Sequence, residues 1–447
     1  MTVAVMPTFR EAFNVWFRVG CLSFGGPAGQ IALLHREVVD QRNWVSDRRF
    51  LHALNFCNLL PGPEAQQLAI YLGWLMHGPA GGFAAGLLFI IPGVIVMLAL
   101  SIIYATIGNV PLIAALFFGL KCAVLVLVVE AVLRIARRAL KGRLAWTLAG
   151  LAFVALFFFA VPFPVVVVTA GLLGFIAPGY FAGGAHGKAK DGPPALLDSI
   201  LEADPSRTDR FARGARIAGL VSCVLWLVPV AFLLPGGGLF ADVAWFFSKM
   251  AVVTFGGAYA VLAYVAQEAV QDYHWLSAAE MLTGLGLAET TPGPLILVLQ
   301  FVGFLAGYRA PGALTGLTGG VAASALTVWV TFAPCFTFVF PGAPLIERAQ
   351  GNRTLSGALS AVTACIVGVV ANLAVWFGLH VLFSQTVPVH AGVLSFDAPV
   401  LRSLDPWALS LAVIAGIALF RLKLGVIPTL AICSGIGVAL HFMLATI

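Results

Sequence analysis

Ser23-Phe24-Gly25-Gly26, Trp44 and Pro61-Gly62-Pro63 each return 231 positions later, as Thr254-Phe255-Gly256-Gly257, Trp275 and Pro292-Gly293-Pro294. The register holds without a gap across about forty positions, so an internal repeat governs the fold. The sequence around these strings is strongly apolar. Of 447 residues, 60% are hydrophobic and 10% charged, whereas soluble domains carry roughly 25% charged residues. Gly81 to Ile107, Pro111 to Val132 and Leu355 to Phe383 reach the roughly 20 residues that a spanning helix needs. None of these runs alternates as barrel strands do. The expected fold is an all-α polytopic membrane protein. In such a chain, paired segments interrupted by Gly and Pro mark a transporter's binding site.

Residues 1 to 12 carry Arg10 and Glu11 and no basic-then-apolar leader, so no cleavable signal peptide is expected. The seven cysteines are scattered through apolar segments without a CxxC pair and read as small buried hydrophobes. The net charge of +6 fits Lys and Arg retained in cytoplasmic loops. No basic stripe interleaved with aromatics points to nucleic acid.

Pro178 to Arg216 is the one long polar stretch. It reads as a cytoplasmic linker over 178–214 between an N-terminal half at 1–177 and a C-terminal half at 235–447. Six apolar segments precede it, at 12–34, 50–76, 81–107, 111–132, 144–160 and 162–177. A lone span at 215–234 follows, and then six more at 243–265, 277–307, 312–339, 355–383, 405–420 and 424–446. The two sets of six match in order.

Loop charges set the orientation. The loop after the first FGG string holds Arg36, Arg42, Arg48 and Arg49; its counterpart at 266–280 has no Lys or Arg and carries Glu268, Asp272 and Glu280. Equivalent loops therefore fall on opposite sides, and the halves are expected to be inverted-topology repeats turned over by the extra span. Arg134, Arg137, Arg138, Lys141 and Arg143 stay cytoplasmic if 12–34 and 50–76 each enter and leave on the same side. Arg348 with Arg353, and Arg421 with Lys423, then fall inside as well. The four Gly/Pro-interrupted segments are accordingly expected to be re-entrant helical hairpins.

Backbone that leaves the helix at membrane depth is tolerated only where its amides and carbonyls meet protein, water or ligand. Gly25-Gly26 and Gly256-Gly257 permit such a break, and Pro61, Pro63, Pro292 and Pro294 stop one helix and start the next. Helix N-termini meeting near the midplane suit an anion. Arg18 and Lys249 correspond at the same offset and offer a cation on each side; either could also snorkel to headgroups. Glu64 and Glu289 are candidates for proton coupling, because ionisable groups at membrane depth are expensive. Asn55, Asn58 and Gln67 mark a polar pathway, and Thr290 and Thr291 add hydroxyls beside the second Pro-Gly-Pro. No GxxxxGK[ST] loop indicates ATP drive. No HExxH or other tight histidine cluster indicates a metal, and no GxSxG elbow or Ser-His-Asp set indicates an enzyme. No cofactor is expected.

The motifs are similar to those of the chromate transporter family, whose long members fuse two homologous halves. The matching residues are Phe24-Gly25-Gly26-Pro27 with Glu37, Asn58-Leu59-Leu60-Pro61-Gly62-Pro63 with Gln67, Phe255-Gly256-Gly257, and Thr291-Pro292-Gly293-Pro294. Ala258 stands where the first half has Pro27, so the two half-sites are not equivalent. The resemblance implies export of chromate across the cytoplasmic membrane and resistance to it. The expected site holds a tetrahedral dianion through amides, the hydroxyls of Ser23, Thr254, Thr290 and Thr291, and Arg18 or Lys249, with Phe24 and Phe255 flanking the breaks.

A dianion leaving down a potential of 100 mV, inside negative, gains roughly 4.6 kcal/mol. That supports about a thousandfold gradient with no coupled ion. Proton coupling is commonly ascribed to the family, and the sequence does not choose between uniport, symport and exchange. A carrier or channel for another oxyanion, such as sulfate, shares the same charge and shape argument. A homodimer is compatible with this fold, though no residue fixes it.

Overall fold

The computed structural model describes residues 6–24, 26–58, 60–108, 110–181, 195–204, 206–253, 258–312, 314–346, 353–392 and 394–445. In chain order the helices begin with α1 Phe9–Leu22, α2 Gly26–His35, α3 Asp47–Cys57, α4 Glu64–Ile107, α5 Pro111–Ala139, α6 Arg143–Phe159, α7 Phe163–Ile176 and the single turn α8 Pro178–Phe181. They continue with α9 Leu196–Ala203, α10 Ser206–Leu233, α11 Leu239–Val253, α12 Ala258–Gln267, α13 Ala278–Thr290, α14 Val298–Arg309, α15 Gly316–Ile346 and α16 Arg353–Leu382. After the strands β1 Thr386–Ala391 and β2 Leu394–Pro399 come α17 Pro406–Gly416 and α18 Val426–Ala445. Six helices among the described residues are long and apolar enough to cross a membrane: α4, α5, α10, α15, α16 and α18. The expected helical membrane architecture is therefore present.

The repeat is one of conformation as well as of letters. α1 stops at the first FGG string, and a wide helical turn follows at Arg36–Asp40 and again at Glu268–Asp272. Asn43 and His274, at the common offset, both adopt left-handed backbone (φ 48° and 51°). Trp44 N–H then donates to the Val38 carbonyl at 2.9 Å, and Trp275 N–H to the Ala269 carbonyl at 2.8 Å. Wide turns of this kind inside helices recur at functional positions.

The chain folds as two compact units, and each draws on both sequence halves. The first comprises Met1–Ala99, Ala185–Ala258 and Thr291–Gly351; the second comprises Leu100–Gly184, Tyr259–Thr290 and Asn352–Ile447. In the first unit α4 folds back on itself at His77–Gly78, where Gly78 has φ 64° and ψ −157°. Its two legs lie close enough that a Cβ on Gly73 or Gly81 would overlap the other's carbonyl. This is the close backbone approach that small residues allow between membrane helices. α15 packs against α14, α10 and α11. In the second unit α16 packs on α5, α6 and α7, and α5 also meets α13, α17 and α18.

Two features differ from the expected segmentation. The stretch read as linker contains α9 and the start of α10, which begins at Ser206 rather than near 215. A β-hairpin separates α16 from α17, with Thr386 paired to Pro399 and Ala391 to Leu394. Its alternating Val387 and Val389, followed by Gly392 at φ 62°, are a short-range hairpin signal. Phe396 of β2 packs against Phe158 of α6 with ring centroids 5.4 Å apart.

Candidate functional site

Both Pro-Gly-Pro turns lie in the first unit, and each stands between two helices. Gly62 and Gly293 adopt φ 120° and 96°, a region that residues with a Cβ rarely enter. Each turn seats on a proline-containing helix of the other repeat. A Cβ on Gly93, next to Pro92 of α4, would overlap the Pro292 carbonyl. A Cβ on Gly62 would lie 3.2 Å from the sulfur of Cys335, next to Pro334 of α15. Pro92-Gly93 and Pro334-Cys335 are thus counterparts, 242 positions apart; the loop between α14 and α15 lengthens the offset. Proline inside a helix leaves the carbonyl four residues earlier without its N–H partner. At Pro92 that carbonyl is Leu88, and Gly20 of α1 sits directly against it.

The first FGG break closes onto the second Pro-Gly-Pro turn. Gly293 N–H donates to the Ser23 carbonyl and to Ser23 Oγ, each at 2.9 Å. Gln30 Nε2 donates to the Gly293 carbonyl at 2.5 Å and reaches the Ser23 carbonyl at 3.5 Å. Ser23 and Gln30 are both buried. The first turn is braced differently: Gln67 Nε2, from its own helix, donates to the Pro61 carbonyl at 2.6 Å.

Further buried amides line the same unit. Gln66 Nε2 donates to the Gly86 carbonyl at 3.4 Å, and Gln300 Nε2 to the Val94 carbonyl at 3.0 Å. The side-chain oxygens of Gln66, Gln67 and Gln300 are buried and accept no hydrogen bond among the described residues. Buried polar atoms left without partners are uncommon in native proteins.

The expected residues fall into distinct environments. Pro292, Gly293, Pro294 and Thr291 are buried; Pro61 and Glu64 are half-buried, and Asn55 and Asn58 are exposed. Phe24 is half-buried beside the first break, and Gly26, at φ 70°, starts α2. Arg18 is exposed, with its guanidinium 3.8 Å from the buried carboxylate of Glu37, which also pairs with Arg42 at 2.5 Å. Lys249 is half-buried on α11. Gly25, Thr254, Phe255, Gly256 and Gly257 lie outside the described residues.

Glu289 belongs to the second unit. It is buried and accepts a hydrogen bond from the hydroxyl of Tyr259. Arg134, which pairs with Glu130 one turn earlier on α5, bears electrostatically on it. Thr290 is half-buried, and its hydroxyl donates to the Leu287 carbonyl at 2.9 Å. Sequence reasoning missed Tyr259 and Gln30. Gln30 lies a few residues beyond the first FGG string, on the helix that starts there, and Tyr259 lies just beyond the second string; that placement was the available signal.

On the face carrying the Trp44 loop, Pro7, Glu11, Asn14, Arg42, Trp44 and Leu196 line one cleft. The start of α1 and the end of the turn after α2 therefore lie together. The inter-repeat segment straps this face: Leu196 and Leu197 N–H groups donate to the Asn43 and Trp44 carbonyls at 3.1 and 3.0 Å. Asp198 pairs with Arg49 at 2.7 Å, and Arg207 donates to the Met76 carbonyl at 2.7 Å.

Comparison with known proteins accords with this architecture. The family model described as Chromate transporter matches residues 10–175 and 241–439, one block in each half. A chromate transport protein of Pseudomonas aeruginosa is 32% identical over 423 residues, spanning 92% of this chain and 91% of the relative. A chromate transport protein of Cupriavidus metallidurans is 26% identical over 368 residues, or 82% of this chain and 81% of the relative. No solved structure matches the chain. With both halves matched, the chain belongs to the chromate transporter family, whose members are membrane transporters and not enzymes.

Proposed function

We propose that this protein carries chromate outward across the cytoplasmic membrane, using broken helices of two inverted repeats as its anion site. The observation that carries this reading is the closure of Ser23 onto Gly293, which joins the breaks of the two repeats through backbone polar groups. The crosswise seating of the Pro-Gly-Pro turns supports a pseudo-two-fold relation between the repeats. The shared cleft of Pro7, Glu11, Arg42 and Trp44 supports a first segment that doubles back to the side it entered from, as a re-entrant hairpin does. Opposite loop charges support the inversion.

The dianion meets amides at the helix starts after Gly25-Gly26 and Pro61-Gly62-Pro63, in the manner of anions at helix N-termini. Gln66 and Gln67 supply further buried polar groups beside the first turn. In this conformation the Gly293 amide is held by Ser23. Glu64 stands at the start of α4 beside that turn, and Glu289 stands just before the second; each is a proton-binding group in the coupling step. Membrane potential alone favours efflux of a dianion by roughly 4.6 kcal/mol per 100 mV.

The test is chromate flux in proteoliposomes with potential and pH gradient clamped separately. Saturable chromate flux that follows the potential is expected. Equal transport of sulfate would make the protein a general oxyanion carrier. Non-saturating conductance would make it a channel.

A further inference from the structure

We infer that Gln30 is the pin of a gate between the repeats, and that its release exposes the Gly293 amide to the transported anion. The inference rests on the transport reading for its function and on geometry for its existence. Three hydrogen bonds fasten the second turn to the first repeat. Gly293 N–H is shared by the carbonyl and hydroxyl of Ser23, and Gly293 carbonyl receives the Gln30 amide. Donor and acceptor of one glycine are therefore both held by the opposite repeat.

At the first turn the Pro61 carbonyl receives Gln67 Nε2, from the start of the following helix in the same repeat. The residue matching Gln30 in the second repeat is Val261, which has no donor. A transporter that alternates between two states needs contacts that exist in one state and break in the other. A tie of a few hydrogen bonds has the right scale, strong enough to hold one state and weak enough to break in the other.

Gln30 is a positioning residue in this scheme. It acts by holding the turn, and the anion reaches Gly293 only after the pin lets go. Removing the pin raises the fraction of molecules with an open turn, which tightens apparent anion binding. It also slows the return through the closed state.

The experiment uses the full chain in nanodiscs and proteoliposomes, with Gln30→Met removing the donor at similar volume and Gln30→His keeping one at comparable reach. Amide hydrogen exchange in peptides spanning 291–297 should quicken by about tenfold or more in Gln30→Met, with peptides of α5 unchanged. For chromate flux, KM and Vmax should both fall in Gln30→Met and recover in Gln30→His. Unchanged exchange at 291–297, or acceleration spread evenly over all peptides, overturns the pin. So does a loss of Vmax with KM untouched, which is what fewer folded molecules would give. If the unmodified protein moves no chromate, the transport reading fails while the exchange measurement still decides the tie.

Discussion

Gly62 rests against Cys335, and at the matching turn of the other sequence repeat Gly293 rests against Gly93. The two seats are not equally roomy. Gly93 has no side chain, and a Cβ there would overlap the Pro292 carbonyl; at Cys335 the thiol is accommodated beside Gly62. Gly93→Ala should therefore push the second turn off its seat, with a destabilisation of about 1–3 kcal/mol from overpacking and loss of most chromate flux. Cys335→Ala removes only a sulfur from a buried site and should keep the fold, with flux reduced by less than threefold, an order-of-magnitude expectation for a small cavity. Thermal unfolding in detergent together with liposome flux checks both. A fully active Gly93→Ala would show that the crosswise seat is not needed for transport.

The positive φ angles at Gly62 and Gly293 give a second prediction. Alanine at either costs about 1 kcal/mol or more in backbone strain. At position 62 the added methyl also meets Gln67 Nε2 at 2.8 Å and Cys335 Sγ at 3.2 Å; at position 293 the nearest atom is Leu297 Cδ1 at 3.0 Å, the end of a flexible side chain. Gly62→Ala should accordingly be the more damaging for anion affinity, because it displaces the amide of Gln67 from Pro61. Chromate-dependent thermal stabilisation measures the difference, and equal loss in the two variants would contradict it.

Tyr259 and Glu289 give a third. The hydroxyl of Tyr259 is the hydrogen-bond donor to a buried carboxyl, and Tyr259→Phe leaves that oxygen unsatisfied at a cost of about 1–3 kcal/mol. Glu289→Gln retains an acceptor for the hydroxyl and should be milder in stability. If Glu289 carries the coupled proton, Glu289→Gln should make flux insensitive to an imposed pH gradient while leaving its response to potential intact. Pair-wise comparison of the two variants, and of Glu64→Gln beside them, separates a proton carrier from a packing residue. Unaltered pH response in Glu289→Gln would remove this carboxyl from the mechanism.

These relationships were legible in the sequence to different depths. The Pro-Gly-Pro strings mark the turns at Gly62 and Gly293 and the first FGG string marks the start of α2, because glycine and proline act locally, whereas the fold-back of α4 at His77–Gly78 carries neither string. Pairing between the repeats was a different matter. The partners of the two turns, Gly93 and Cys335, share no letter, and the offset between them is 242 rather than 231, so a search at fixed offset passes over them. Gln30 and Tyr259 escaped for a related reason: a buried polar residue on an apolar helix shows its purpose only once its acceptor, hundreds of residues away or on another helix, is known. The β-hairpin at 386–399 carried a readable alternation, yet it lay between two segments long enough to absorb attention as spans. The long polar stretch read as a plain linker because Leu197 and Asp198 look unremarkable until the Trp44 loop and Arg49 are placed beside them.

That strap supplies the last prediction. Asp198 is partly buried, which acts to raise its pKa, but hydrogen bonds from Ser46 and Arg49 and the charge of Arg49 outweigh burial and hold it below the ordinary 3.8. A carboxyl depressed in the folded state contributes its stability above the unfolded pKa and loses it as pH falls through the folded one. The strap should therefore be insensitive to pH between about 5 and 8 and loosen only below about pH 4, where unfolded carboxylates begin to take up protons. Asp198→Asn removes the charge at every pH and should weaken the strap by about 1–2 kcal/mol, the scale of a charge-assisted bond in a partly shielded site. Limited proteolysis in the 178–205 stretch reads both effects. Cleavage in the unmodified chain should be constant across the neutral range and rise under acid conditions, whereas Asp198→Asn should be cut faster already at pH 7. Equal cleavage of the two at pH 7 would mean that the strap is held by the backbone bonds of Leu196 and Leu197 to Asn43 and Trp44, with the ion pair to Arg49 adding nothing.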